Sequence, residues 1–260
     1  MDAATTTSTA PALRFNPLLP YFAVFQTDSR QTLQSWIYRL WVIVSVVAAA
    51  GYGLYKFGIH REVGLVQSAS EQTGILIRTI GYVTVAFVSL IAVVGIGGER
   101  TTVADSILSR GISRTQYYLA KWHARTLVVF GTFAVLAAAI LTAYHYLLEP
   151  DLTLRGGIAA TLMAGAALAA VMAWGVAVGA LANGSVIGIT IFWLVLFGAI
   201  FLTSFLPETF PSPAYFVLQL RGTLRGQFEV VSVGKSIGIM VGIAVLGAMI
   251  GLIGYGRKDV

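Results

Sequence analysis

A few residue groups in this chain have types and spacing that could do chemistry. Gly234-Lys235-Ser236 has the ending of a phosphate-binding loop, in which successive backbone N–H groups cradle a nucleotide's phosphates. That motif also requires glycine five positions before Gly234, where the chain has Glu229. The chain therefore carries no recognisable ATPase. The histidines are His60, His123 and His145, and a bis-histidine haem site needs its ligands facing each other at one depth. His123 and His145 fall at opposite ends of one apolar segment and His60 in a loop, so neither haem nor metal is expected. The absence of cysteine excludes disulfides, thiolate metal sites and cysteine nucleophiles. Asn183-Gly184-Ser185 fits a glycosylation sequon, but it falls on the predicted cytoplasmic side. No catalytic residue is expected.

The elements that would position any function are membrane helices. Hydrophobic residues make up 57% of the 260 and charged residues 11%, against about 25% charged in an ordinary soluble domain. Spanning the hydrocarbon takes about 20 apolar residues, and six segments qualify: about 36–57, 75–96, 126–148, 157–182, 185–206 and 233–255. The expected fold is an all-α polytopic membrane protein forming one transmembrane domain over 1–260. Residues 1–17 lack the basic-then-apolar order of a signal peptide and read as a flexible tail. The turn at 182–185 is so tight that the fourth and fifth spans must be antiparallel neighbours.

Lys and Arg set the orientation. Ten of them (Arg14, Arg30, Arg39, Arg100, Arg110, Arg114, Lys121, Arg125, Arg257 and Lys258) collect on one side. The other side has six: Lys56, Arg61, Arg155, Arg221, Arg225 and Lys235. This split predicts that both termini and the 97–125 loop are cytoplasmic, and the multi-pass protein is expected in the cell inner (plasma) membrane. The split also assigns the net charge of +6 to loop topology, with no nucleic-acid partner. Arg78 lies a turn inside a span end, where its stem can snorkel to the interface. The spans hold no Asp or Glu, which counts against a proton- or sodium-coupled carrier.

Before the first span, residues 20–39 predict an amphipathic helix lying in the membrane interface. Phe22, Phe25, Leu33, Trp36 and Leu40 recur at helical spacing, while Asp28, Arg30, Gln31 and Gln34 point elsewhere. The outer loop 207–232 mixes apolar residues with Pro and Gly, so short re-entrant or interfacial helices could form where the bundle shelters their backbone. Gly175-xxx-Gly179, Gly238-xxx-Gly242 and Gly247-xxx-Gly251 match the pattern that lets helices approach closely, either within the bundle or at a dimer seam.

Residues 98–122 form the one long polar insertion on the predicted cytoplasmic side. Val103 with Ile107, and Ala104 with Leu108, make i, i+4 apolar pairs, so 102–110 reads as a short amphipathic helix ending at Gly111. Ser113 with Gln116 has capping-box spacing. A helix from Arg114 to Leu148 would be roughly 50 Å long, so its first turns project into water as a stalk. Five basic and two acidic residues lie between 97 and 125.

Here the chain resembles the permeases of ABC-2 type transporters. Their segment between the second and third spans typically reads like Glu-x-x-x-Gly-Thr, two or three leucines, then Pro-Val-Ser-Arg, and a Gly-Lys a few residues later. This chain has Glu99, Ile107-Leu108, Ile112-Ser113-Arg114 and Ala120-Lys121 in that order. The family's Gly-Thr pair is absent, and Gly111 stands where proline is usual. The motif covers about 25 residues; the layout of interfacial helix, six spans and basic tail covers almost the whole chain.

The resemblance implies two permease copies, identical or related, forming a path across the bilayer. Each would carry a separate ABC ATPase subunit that holds ATP and Mg, leaving no cofactor in this chain. Docking would fall to Glu99, Val103, Asp105, Ile107, Leu108, Arg110, Ser113 and Arg114, the 102–110 segment acting as a cytoplasmic coupling helix. By family habit the transporter would export its cargo. The alternative reading is a membrane anchor or assembly subunit of an enzyme complex, with no transport path.

Overall fold

The computed structural model describes residues 18–97, 112–203, 205 and 213–257. In these residues the chain forms eight helices: α1 (Leu19–Gln34), α2 (Trp36–Glu62), α3 (Ala69–Gly97), α4 (Arg114–Leu147), α5 (Leu154–Leu181), α6 (Ser185–Thr203), α7 (Pro213–Leu224) and α8 (Val230–Arg257). Six of them, all but α1 and α7, are long and apolar enough to cross a membrane. No strand occurs among the described residues; the one bridge joins Ser68 to Glu149. The chain is thus an all-α, multi-pass membrane protein.

The spans are those the apolar runs predict, with ends shifted by a few residues, except that α4 already begins at Arg114, where the stalk is expected. The interfacial helix expected over 20–39 differs. It ends at Gln34 because Ser35 turns extended (φ −64°, ψ 141°), and the Ser35 Oγ accepts a hydrogen bond from the Tyr38 N–H to open α2. A serine N-cap satisfies a backbone donor that an uninterrupted helix would hold internally. Trp36 therefore starts α2 and is not part of α1.

α5 is the central post. It is rich in glycine and alanine and buried along most of its length, so its neighbours reach its backbone. A Cβ on Gly179 would stand 2.6 Å from the Val93 carbonyl oxygen of α3. On the α8 side, Gly251 leaves room for the Tyr118 hydroxyl, and Gly247 lies against the Trp174 indole, whose Nε1 donates to the Ile243 carbonyl at 3.1 Å. The 175/179 and 247/251 pairs thus serve packing inside the chain. Gly238 and Gly242 have nothing within 4 Å. α6 packs on α3 and α5 through Phe192, Trp193 and Leu196, and the tight 182–184 turn makes α5 and α6 the expected neighbours.

The end of the bundle where α3 begins is held by a polar staple. Asp151, in the α4–α5 loop, accepts from the Ser70 N–H (2.7 Å), the Ser68 and Ser70 hydroxyls (2.6 Å each) and Arg225 Nε (3.0 Å). Thr153 N–H donates to the Leu224 carbonyl at 3.1 Å, tying α7 to the start of α5. Leu220 and Leu224 of α7 are buried with Ala160, so α7 is sheltered by the bundle, as backbone near membrane depth must be.

A candidate functional site at the foot of α4

The far end of α3, where the chain leaves for residues 98–111, meets an unusual group of charges. Lys121 and Arg125 stand four residues apart on α4 and so share one face. Asp28 of α1 lies between them. Arg125 grips the carboxylate with both prongs, Nε to Oδ2 at 2.9 Å and Nη2 to Oδ1 at 2.8 Å. Lys121 Nζ stands 3.2 Å from Oδ1. The side chains are 4% exposed for each cation and 2% for the acid.

The two cations also hold the last turns of α3. Arg125 Nη1 donates to the Ile91 carbonyl at 3.1 Å and to Ala92 at 3.4 Å, and Nη2 to Gly95 at 2.9 Å. Lys121 Nζ reaches the Gly95 carbonyl at 3.4 Å and lies 5.1 Å from the Tyr117 ring centre. A side chain on Gly95 would collide with the Arg125 guanidinium; glycine is what lets the cation approach.

The balance of effects can be followed on Asp28. Burial raises the pKa of its carboxyl, but the Arg125 hydrogen bonds and charge, aided by Lys121, more than offset this and hold it below the usual carboxylate range. Among the described residues the cluster holds two cations and one acid. The carbonyl end of α3 adds negative character, both through the aligned peptide dipoles and as direct acceptors.

Around the cluster α1 is fastened further. Val24 and Thr32, one turn either side of Asp28, are buried. Tyr21 Oη of α1 pairs with His123 Nδ1 at 2.9 Å, and at the start of α2 Tyr38 Oη pairs with Thr132 Oγ1 at 2.7 Å. Asp28 therefore does not sit on a solvated face of α1, as its polarity suggests. It faces the bundle because two buried cations on α4 need a carboxylate. Phe25 is half-buried against the core, whereas Phe22, Leu33 and Trp36 are exposed.

Of the residues assigned to partner docking, Glu99, Val103, Asp105, Ile107, Leu108 and Arg110 lie outside the described residues, as does the short helix expected over 102–110. Ser113 and Arg114 are described. Ser113 Oγ accepts from the Gln116 N–H and Gln116 Oε1 from the Ser113 N–H, both at 3.2 Å, the reciprocal capping box. Arg114 opens α4, and Ile112 packs against the core. Among the described residues no cluster of His, Asp and Glu could hold a metal ion.

The Asp28 cluster escaped the sequence reading because each member has an ordinary explanation alone. A signal existed: the sole acid of α1 and an i, i+4 cation pair at the same end of the bundle. Nothing in the spacing dictates that α1 lies beside α4. No protein-family model matches the chain, and no curated protein matches its sequence.

Proposed function

We propose that the chain is the permease subunit of an ATP-driven ABC-2 type transporter, working as an exporter in a pair of permease copies and coupled to a separate ATPase subunit. The observation that carries this reading is the anchoring of residues 98–111 at both ends. The segment leaves α3 just past Gly95 and enters α4 at the Ser113 cap, and the Asp28 cluster bolts these two elements to each other and to α1. A push delivered at the end of α3 or the start of α4 is shared by all three helices. α4 has 34 residues, about 50 Å of helix against a hydrocarbon core of about 30 Å, so its capped first turns stand clear of the lipid within a partner's reach. The membrane part supplies a path and the ATPase the energy, in keeping with spans whose only carboxylates, Glu62 and Glu71, lie at helix ends.

The test is co-purification with a P-loop ATPase from the native membrane. Ile107→Asp with Leu108→Asp is expected to abolish that association while leaving the permease folded. Unchanged assembly sinks the proposal, and recovery of a redox or biosynthetic enzyme instead supports the membrane-anchor reading.

A further inference from the structure

α1 shows three different sectors around its axis. One, with Val24, Asp28 and Thr32, is buried against the bundle. A second carries apolar side chains that the described residues leave uncovered: Leu19, Phe22 and Leu33 on the helix, continued by Trp36 just past it. The third is polar and adjoins the second, Gln26 falling between Leu33 and Leu19 and Arg30 beside Leu19 at about 3.6 residues per turn. Gln26, Thr27, Arg30, Gln31, Gln34 and the half-buried Ser35 line a shallow depression there. A soluble helix packed on a protein needs only two sectors, core and water. The uncovered apolar sector beside a polar one is the pattern of a helix lying at the surface of a bilayer, apolar side toward the acyl chains and aromatics at headgroup depth.

The charge of the polar sector is then specific. Asp28 is the only acid in α1 and Arg30 its only base. Because Asp28 is turned inward and taken up by Arg125 and Lys121, the outward surface of α1 keeps a cation and loses its counter-charge. Arg39, one turn past Ser35, is exposed as well. Arg30 and the three glutamines of the depression are engaged in no hydrogen bond or ion pair with the described residues. They offer a guanidinium fork and several amide N–H donors, with no carboxylate among them. A guanidinium matches phosphate oxygens in a two-pronged geometry. At headgroup depth the abundant phosphate is that of the lipids themselves.

We propose that this depression seats the phosphate of an anionic phospholipid from the leaflet in which α1 lies, with Arg30 as the primary contact and Gln26, Gln31 and Gln34 as supporting donors. The site is independent of any ATPase. It makes α1 a lipid-reading element whose inner face, through Asp28, is joined to α3 and α4.

The test uses the intact chain, purified in detergent, stripped of lipid and titrated with phosphatidylglycerol or phosphatidylcholine, the bound lipids being counted by native mass spectrometry. Tighter binding of phosphatidylglycerol is expected. Arg30→Gln should weaken it about fivefold, the effect of one basic residue at an anionic surface, and Arg30→Lys should restore most of the loss. Arg61→Gln, at the far end of α2, should change nothing. Arg30 is exposed, so these variants are expected to fold, and an unchanged thermal midpoint checks this. Equal affinity for the two lipids, or full phosphatidylglycerol affinity in Arg30→Gln, overturns the proposal. So does displacement of the lipid by millimolar inorganic phosphate, which makes this a free-anion site. Cross-linking of a cysteine placed at Gln31 to a protein instead of lipid, in native membranes, overturns it too.

Discussion

Among the described residues Asp28 meets two cations, Arg125 with two prongs and Lys121 with one contact, and this asymmetry predicts how substitutions at the cluster rank. Asp28→Asn leaves Lys121 and Arg125 buried without their carboxylate. Removing one partner of a buried ion pair costs about 3–5 kcal/mol, so a large fall in thermal midpoint is expected. Lys121→Met is expected to cost much less, because Arg125 keeps both prongs on Asp28 and the methionine fills the space above Tyr117. Thermal unfolding followed by size-exclusion of the detergent-solubilised protein measures both. Equal costs would show that Lys121 bears as much of the pairing as Arg125. The residues themselves were plain in the sequence; their pairing was not. Asp28 has polar neighbours along the chain, and only the position of α4, nearly a hundred residues later, makes its inward face the favourable one.

Helices were easier to read than faces. Long apolar runs announce spans because lipid leaves few other folds for them, and all six span positions followed from composition. The Ser113–Gln116 cap of α4 was also legible, since it depends on local spacing alone. The break at Ser35 was missed because the apolar period of 22–40 runs through it. The use of each glycine pair was equally hidden, since the pattern does not name its partner helix. The structure separates them, and Gly251→Leu is expected to force apart α4, α5 and α8, where Tyr118 and Ala177 occupy the space. Gly238→Leu, on an open surface, should leave the monomer's thermal midpoint nearly unchanged. A large loss from Gly238→Leu would indicate that the open stripe is covered by another chain.

The molecule as a whole is fastened at both ends of α3, by the Asp28 cluster at one and by Asp151 at the other. The two fastenings differ in access to water. At Asp151, burial raises the pKa, but the hydrogen bonds from Ser68 and Ser70 and the Arg225 guanidinium bring it down to about 2. A depressed carboxylate stabilises the fold above its unfolded pKa, near 4, and loses that contribution as the pH falls through the folded value. The staple is therefore complete above about pH 5 and fades between about pH 4 and pH 2. Asp151→Asn is expected to cost about 2 kcal/mol at neutral pH, with the difference from the parent closing as the pH approaches 2. Unfolding midpoints across that range check it, and a difference independent of pH would exclude the carboxylate as its source.

The distance along the chain between Asp28 and its partners also bears on how the protein is made. Arg125 is 97 positions downstream, and ribosomes add about 5–20 residues per second. For several seconds α1 exists with its carboxylate facing no cation, and a lone carboxylate is held by water. The nascent α1 must therefore stay hydrated at the membrane surface while the first two spans insert. It can settle only when α4 arrives with Lys121 and Arg125. Closing the cluster thus waits for α4, the third of the six spans, and a chain whose α4 is inserted the wrong way round has no means of completing it.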